Sequence, residues 1–188
     1  MNIILGSASP RRKYLLEEAG FMVKVIPLNV EETYPDNIGL DEVALYLAHK
    51  KSMAYTKDIP YGSVLLTADS TVVLEDKILG KPKNVEEGIQ FILELSNTTH
   101  QVITGVVIRD AKNTVKFKSH TLVEFSNVTE EEAAYYVQLY QPFDKAGGYG
   151  LQEWIGLCKV KSIHGTYSNV MGLPIHEVYE KLKDWPQG

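Results

Sequence analysis

Short apolar runs alternate with amphipathic stretches along the whole chain, the pattern of a protein that contains both strands and helices. The apolar runs predict strands at residues 2–6, 21–28, 63–74, 101–109, 115–125 and 157–163. Residues 110–113 are turn-forming and are expected to join two of these strands as a pair. The segment 29–39 is polar, carries Pro35 and predicts a loop.

Capping signals place helices between these runs. Ser9 followed by Pro10 predicts the start of a helix that ends near Gly20. Asp41 is expected to cap a helix that reaches residue 57. Further helices are predicted after the capping pairs Asn84–Glu87 and Thr129–Glu132 and near the C-terminus, at 85–96, 130–140 and 173–184. Helices and strands alternate, but some strands follow each other directly as hairpins. This order predicts an α/β protein with a mixed twisted sheet flanked by helices.

Length and charge narrow the class of protein. The 188 residues carry a net charge of -5 and one cysteine, Cys158. We expect one domain over residues 1–188, with a core that needs no disulfide or metal, and Cys158 as a small buried side chain. The acidic balance argues against a nucleic-acid partner. The first apolar run is too short for a signal peptide, and none approaches a membrane span, so we expect a cytoplasmic protein with no membrane partner.

The segment 6–12 is the first candidate for chemistry. A strand ends in small residues, a helix begins, and Arg11 and Arg12 stand in its first turn. Acidic residues normally occupy that position, because the helix N-terminus carries partial positive charge. Together with the hydroxyls of Ser7 and Ser9, the arginines favour a phosphate-binding site. The alternative is a capped helix with two solvated arginines.

Lys51 lies near the centre of an apolar stripe on the predicted second helix, whereas Lys50 falls at its edge. The stripe consists of Leu40, Val43, Ala44, Leu47, Ala48, Ala54 and Tyr55. A lysine there is costly unless it meets an anion, so we predict that Lys51 binds a polyanion. The alternative is a stem that packs while the ammonium reaches solvent.

Asp69 interrupts an apolar run, where aspartate is disfavoured in a strand. On a rigid strand its carboxylate could bind a metal or take a proton from water, and the alternative is a turn between two short strands. Lys81, in the tripeptide 80–82, could bring a second cation beside it. Glu31 and Glu32 lie in a polar loop and gain interest only as metal ligands together with Asp69.

Two glycine-containing loops, 143–152 and 165–174, are either close-approach ligand loops or tight turns around a core. Neither has the residue order of a P-loop. Gln152 could read the edge of a base. The five histidines show no metal-ligand spacing and are assigned structural or surface roles.

In this order the motifs resemble the Maf family of nucleoside triphosphate pyrophosphatases, the septum-formation inhibitor proteins, from end to end. The matching positions are 7–12, Glu32, 47–48 with Lys51, 68–69, 80–82, 144–152 and 167–174. The resemblance implies an elongated fold like that of inosine triphosphatases, with two lobes around a central cleft, and in many members a homodimer.

The same resemblance implies hydrolysis of a nucleoside triphosphate between its α and β phosphates with a divalent cation, Mg²⁺ or Mn²⁺. Asp69 would activate water, with Lys81 and Glu32 as further catalytic residues and with Asp69 and Glu32 as metal ligands. The substrate phosphates would be bound by Ser7, Ser9, Arg11, Arg12 and Lys51. Nucleotide choice is associated with Arg11, Ser70 and Gln152.

The form of the 147–152 loop resembles the branch that acts on dTTP and UTP. Ser70 stands where that branch usually has threonine, and Glu153, where glycine is common, adds an acid near a polyanion site. The alternatives are the same chemistry on 7-methyl-GTP or another modified nucleotide, and a nucleotide-binding regulator of cell division with little turnover. A nucleic-acid-binding module is disfavoured by the charge.

Overall fold

The computed structural model describes residues 1–186, so the last two residues of the expected 1–188 domain lie outside it. The strands of this part of the chain are β1 Asn2–Leu5, β2 Met22–Val25, β3 Ser63–Leu74, β4 Lys77–Leu79, β5 Thr99–Arg109, β6 Thr114–Phe125 and β7 Val160–His164. They form a sheet of order β2-β1-β3-β5-β6-β7, with β4 beside β3. Parallel pairs (β1 with β2 and β3) and antiparallel pairs (β3 with β4, β6 with β7) are both present, which confirms a mixed sheet.

Helices separate the strands largely where the caps predict. They are α1 Pro10–Glu18, α2 Val43–Ala54, α3 Val85–Leu95, α4 Glu130–Tyr140, α5 Trp154–Lys159, α6 Tyr167–Val170 and α7 Ile175–Lys183. Ser9 and Asn84 accept hydrogen bonds from the backbone of their helices, and Thr129 forms the full capping box. In the described part of the chain, no helix has the length and apolar character needed to cross a membrane.

The predicted cap of α2 at Asp41 is wrong. The helix begins at Val43 after Glu42, which makes no side-chain cap bond. Asp41 and Glu42 instead accept hydrogen bonds from the Lys118 ammonium, at 2.9 and 2.5 Å. An ion pair with a strand residue has replaced local capping.

The segment predicted as a strand at 157–163 is helical in its first part. Helix α5 extends to Lys159, and β7 begins at Val160. Ile155 is fully buried in α5, so tertiary packing outweighs the local apolar pattern. The same helix exposes Cys158, which corrects the expectation that this side chain is buried.

The chain divides into two compact units. Of the described residues, the first unit consists of Met1–Ser70, Thr104–Ser119 and 172–186, and the second unit consists of Thr71–Ile103 and His120–Met171. Each has its own core. Ile3, Leu66 and Leu173 belong to that of the first unit, and Phe125 and Tyr136 to that of the second. Strands β3, β5 and β6 contribute residues to both units.

Candidate active site

The carboxyl end of β1 sets the position of the first unit's polar cluster. β1 pairs in parallel with β3 and ends at Leu5, opposite Leu66. β3 continues without interruption to Leu74, so the alternative of a turn near Asp69 is wrong. Residues 68–70 therefore extend past the end of β1, beside the segment that leads into α1. Ligands of α/β sheets commonly bind outside the carboxyl ends of such strands.

The serines before α1 are partly engaged within the protein. Ser9 caps the helix by accepting from the Arg12 N–H, with a 3.4 Å donor–acceptor distance. The Ser7 hydroxyl accepts from the Ser9 N–H and from the Arg12 guanidinium, at 3.2 and 3.1 Å. The segment predicted to bind phosphate is thus held by hydrogen bonds before any ligand arrives.

Arg12 is buried and connects three separate segments of the first unit. Its Nε donates to the Gly172 carbonyl at 2.7 Å, and one terminal nitrogen donates to the Ala68 carbonyl at 2.8 Å. The other terminal nitrogen donates to the Ser70 hydroxyl at 3.1 Å. Burial lowers the pKa of Arg12 from its ordinary value, while the charge of Asp69 acts in the opposite direction. The guanidinium stays charged and holds the site together.

Lys51 bridges two carboxylates. Its Nζ pairs with Asp69 Oδ2 and lies 2.9 Å from Glu32 Oε1. The Lys51 side chain is only 11% exposed, whereas Glu32 is 41% exposed. Lys51 thus meets the protein's own carboxylates on the buried side of α2. The predicted binding of a polyanion stays a prediction.

Lys50 has a different partner. Its ammonium donates to the carbonyl and the hydroxyl of Thr33, at 3.1 and 2.9 Å. Because Thr33 follows Glu32, both lysines contact the same loop. Helical periodicity correctly separates the two side chains but does not predict this second contact.

Three strand residues of the first unit, which were not predicted as functional, fix α2. The Thr67 hydroxyl donates to the Ala48 carbonyl at 2.8 Å. A Cβ on Gly105 would lie 2.3 Å from the Leu45 backbone, so glycine permits the close approach of helix and strand. Arg109 donates to the carbonyls at the end of the helix, those of Ser52 and Tyr55. For Gly105, the sequence signal was a glycine inside an apolar strand; Thr67 and Arg109 had no such signal.

Ser70 belongs to the Arg12 network. Its hydroxyl accepts from Arg12 and lies 2.9 Å from the hydroxyl of Thr104, which is fully buried. Arg11, also predicted to influence nucleotide choice, is half-buried in the same first turn of α1.

The donor set fits a divalent cation that also binds substrate. Among the described residues, no group of three or more His, Cys, Asp or Glu side chains is arranged to hold a metal. Glu32 and Asp69, however, direct carboxylate oxygens at one shared cation, the Lys51 ammonium. Two converging carboxylates are what Mg²⁺ uses when phosphate oxygens and water complete its coordination.

Lys81 and Gln152 belong to the second unit. Lys81 is exposed and follows Gly80, whose carbonyl accepts from the Gly147 N–H at 2.9 Å. Gln152 Oε1 is buried and has no hydrogen-bond partner among the described residues. Glu153, expected to add an acid, lies 3.1 Å from the Lys145 ammonium and is therefore ion-paired.

Comparison with known proteins identifies the family. The family model described as Maf-like protein matches residues 2–185. A dTTP/UTP pyrophosphatase of Phocaeicola vulgatus is 45% identical over 96% of this chain and 94% of its own. The protein of the same name from Bacteroides fragilis strain YCH46 is 46% identical over the same shares. The solved Ham1 protein of Staphylococcus aureus superposes with a TM-score of 0.44 at 19% identity, over 66% of this chain and 72% of that chain. From the match over nearly its whole length and the close curated relatives, the chain belongs to the Maf-like protein family.

Proposed function

We propose that this protein is a nucleoside triphosphate pyrophosphatase that hydrolyses dTTP and UTP to the monophosphate and pyrophosphate. The family and relatives that bear this name at about 45% identity support the proposal. The observation that carries it is Asp69, a carboxylate on an interior strand, beside the Lys51 ammonium. Homodimer formation and a cytoplasmic location stay predictions.

Asp69 is the base in this mechanism. Its carboxylate accepts a proton from water, and the water oxygen forms a bond to a phosphorus atom of the α–β anhydride. The bond from that phosphorus to the bridging oxygen breaks, and the electron pair leaves with the departing phosphate group. Because phosphoryl transfer depends mainly on alignment and charge stabilisation, a rigid strand is a suitable support for the base.

The cationic side chains bind the polyanion. Lys51 already holds two carboxylate oxygens, and a phosphate oxygen presents the same acceptor chemistry. Ser7, Ser9, Arg11 and Lys81 are proposed to contribute further donors to the substrate phosphates, with Arg12 holding their scaffold. Glu32 and Asp69 would hold Mg²⁺ or Mn²⁺, which when bound neutralises charge on the phosphates.

Gln152 is proposed to select the base. Its amide offers one donor group and one acceptor, which match the imide edge of uracil or thymine. The buried Oε1 has no partner among the described residues, so an N–H donor from a ligand would satisfy it. This assignment predicts higher kcat/KM for dTTP and UTP than for GTP and 7-methyl-GTP.

Release of pyrophosphate from a panel of nucleoside triphosphates with Mg²⁺ or Mn²⁺ tests the function. The Asp69→Asn variant should lose at least about 10²-fold in kcat, because an amide cannot accept the proton of water. Nucleotide binding, measured by calorimetry, should be retained or tighten, since a negative charge is removed. Asp76→Asn, an exposed carboxylate just after the same strand, is the matched control. Turnover of the Asp69→Asn variant within a few-fold of wild type would exclude Asp69 as the base.

A further inference from the structure

Gln152 lies at the corner of a tight turn in the second unit. The Glu153 N–H donates to the Gly150 carbonyl at 3.0 Å, which closes the turn around Leu151 and Gln152. Leu151 is buried, and Glu153 immediately precedes α5. The direction of the Gln152 side chain therefore depends on how firmly both ends of this turn are held.

Tyr136 of α4 connects the two ends. Its Oη accepts a hydrogen bond from the Gly150 N–H at 2.9 Å. The same hydroxyl donates to Glu153 Oε2 in a short hydrogen bond. Together with the backbone bond of the turn, these contacts make a closed ring that includes one fully buried phenol. Such networks fix a single geometry when every member has a partner.

The charge of Glu153 is balanced within the same unit. Lys145, itself 9% exposed, places Nζ 3.1 Å from Glu153 Oε1 and 2.8 Å from Asp144 Oδ1. A Cβ on Gly150 would lie 2.6 Å from the Glu153 carboxyl carbon, so glycine leaves room for the carboxylate. Burial and the bond to Glu153 raise the pKa of Tyr136 above its ordinary value, so the hydroxyl keeps the proton that it donates.

We propose that Tyr136 and Glu153 are positioning residues for nucleotide choice, because they hold the turn that presents Gln152. This inference rests on the proposed function and on the role assigned there to Gln152. Neither residue needs to touch the substrate. Loosening the turn should reduce discrimination between bases more than it reduces turnover, because Gln152 is assigned to the base and not to the reacting phosphates.

The Tyr136→Phe variant tests the proposal by removing one hydroxyl and keeping the ring. We expect the ratio of kcat/KM for UTP to that for GTP to fall about 10-fold, the scale of one lost polar discrimination. Tyr135→Phe, whose hydroxyl-bearing ring is half-exposed on the same helix, should leave the ratio within about 2-fold of wild type. Thermal unfolding of both variants checks that they are folded.

Two variants of Glu153 provide a second test, one conservative and one that removes the carboxyl group. Glu153→Gln keeps an acceptor for the Tyr136 hydroxyl and should retain the UTP-to-GTP ratio within about 3-fold, whereas Glu153→Ala should lower it as Tyr136→Phe does. An unchanged ratio in Tyr136→Phe, or an equal fall for both nucleotides, would overturn the inference and leave the proposed function intact.

Calorimetric binding of non-hydrolysable UTP and GTP analogues separates the two proposals. If the wild-type protein releases no pyrophosphate from any nucleotide, the proposed function fails. The inference is then tested by the ratio of the affinities for the UTP and GTP analogues, which should fall about 10-fold in the Tyr136→Phe variant. If the wild-type protein releases no pyrophosphate and also binds neither analogue, the inference fails together with the proposed function.

Discussion

Arg12 shows how far a single side chain can be understood from its place in the sequence. A cation in the first turn of α1, where acidic residues are usual, marks Arg12 as a candidate. Its acceptors, however, lie 56, 58 and 160 residues away, at Ala68, Ser70 and Gly172. No local pattern joins such partners. The four hydrogen bonds to protein use most of the five guanidinium N–H groups, so Arg12 acts first as a clamp.

Replacement of Arg12 by lysine should therefore reduce stability even though the charge is kept. A single ammonium cannot reproduce the forked geometry, and buried carbonyls lose their donors. We expect the free energy of unfolding to fall by about 2–4 kcal/mol in chemical denaturation. Lys13→Ala, which removes an exposed pair with Glu17 in the same helix, should change it by less than about 0.5 kcal/mol. A stable Arg12→Lys protein that has lost only kcat/KM would show that Arg12 is a substrate ligand and not a clamp.

The candidate site is partly predictable because a local pattern reveals a misplaced charge but not its distant partners. Lys51 and Asp69 stand out because each is a charge where its own element should be apolar. Thr67 does not stand out, since threonine is common in strands and its partner, the Ala48 carbonyl, carries no sequence signal. Lys50, at the edge of the same stripe, contacts Thr33 and so helps to hold the loop of Glu32.

At the scale of elements, hydrogen bonds from strands β3 and β5 hold α2, the helix that carries Lys51. Thr67 and Asp69 lie on the same face of β3 because side chains alternate along a strand. The Thr67 hydroxyl bonds the carbonyl of Ala48, three residues before Lys51, so it sets the register of the helix against Asp69. Arg109 holds the last turn of the helix.

The Thr67→Val variant should lower kcat about 10-fold or more, because small misplacements of an aligned group are costly. The change keeps the shape of the side chain and removes only the hydroxyl, and Thr67→Ser should restore most of the rate. Thr71→Val is the control on the same strand, since the buried Thr71 hydroxyl has no partner among the described residues. Steady-state kinetics would contradict the positioning role if Thr67→Val and Thr71→Val had equal rates.

Local signals succeed for elements whose partners are near in sequence and fail where distant contacts decide. The capping box at Thr129 and the turn after Arg109 involve neighbours and are confirmed. The cap at Asp41 is wrong because Lys118, far along the chain, takes the carboxylate. Three of the four boundaries between the two units fall inside the continuous strands β3, β5 and β6, so no linker composition marks them.

At the scale of the whole molecule, each unit's core contributes to stability, and that of the second unit contains a titratable group. His100 is 2% exposed and packs against Phe125 and Tyr149. Burial lowers the pKa of His100 to about 4 from an ordinary value of 6.5, so the imidazole is neutral in the folded protein at pH 7. The unfolded chain binds a proton to this group at a higher pH than the folded chain does.

The stabilisation that depends on neutral His100 should therefore be fully present above pH 6.5 and be lost as the pH falls toward 4. This loss should lower the free energy of unfolding by about 3 kcal/mol. The His100→Gln variant cannot titrate and should lose less stability over this range. Urea denaturation of both proteins at pH 7 and pH 4.5 measures the difference. Parallel losses would mean that His100 has an ordinary pKa in the folded state.

The bridging position of Lys51 has a consequence for the protein without substrate. One ammonium serves as an internal counter-ion for two carboxylates from a strand and a loop, so it offsets part of their negative charge. Replacing Lys51 with a neutral residue would leave Glu32 and Asp69 facing each other as uncompensated like charges. Such a variant would attract divalent cations more strongly while it grips phosphates less, so its loss of activity would combine two opposite electrostatic changes.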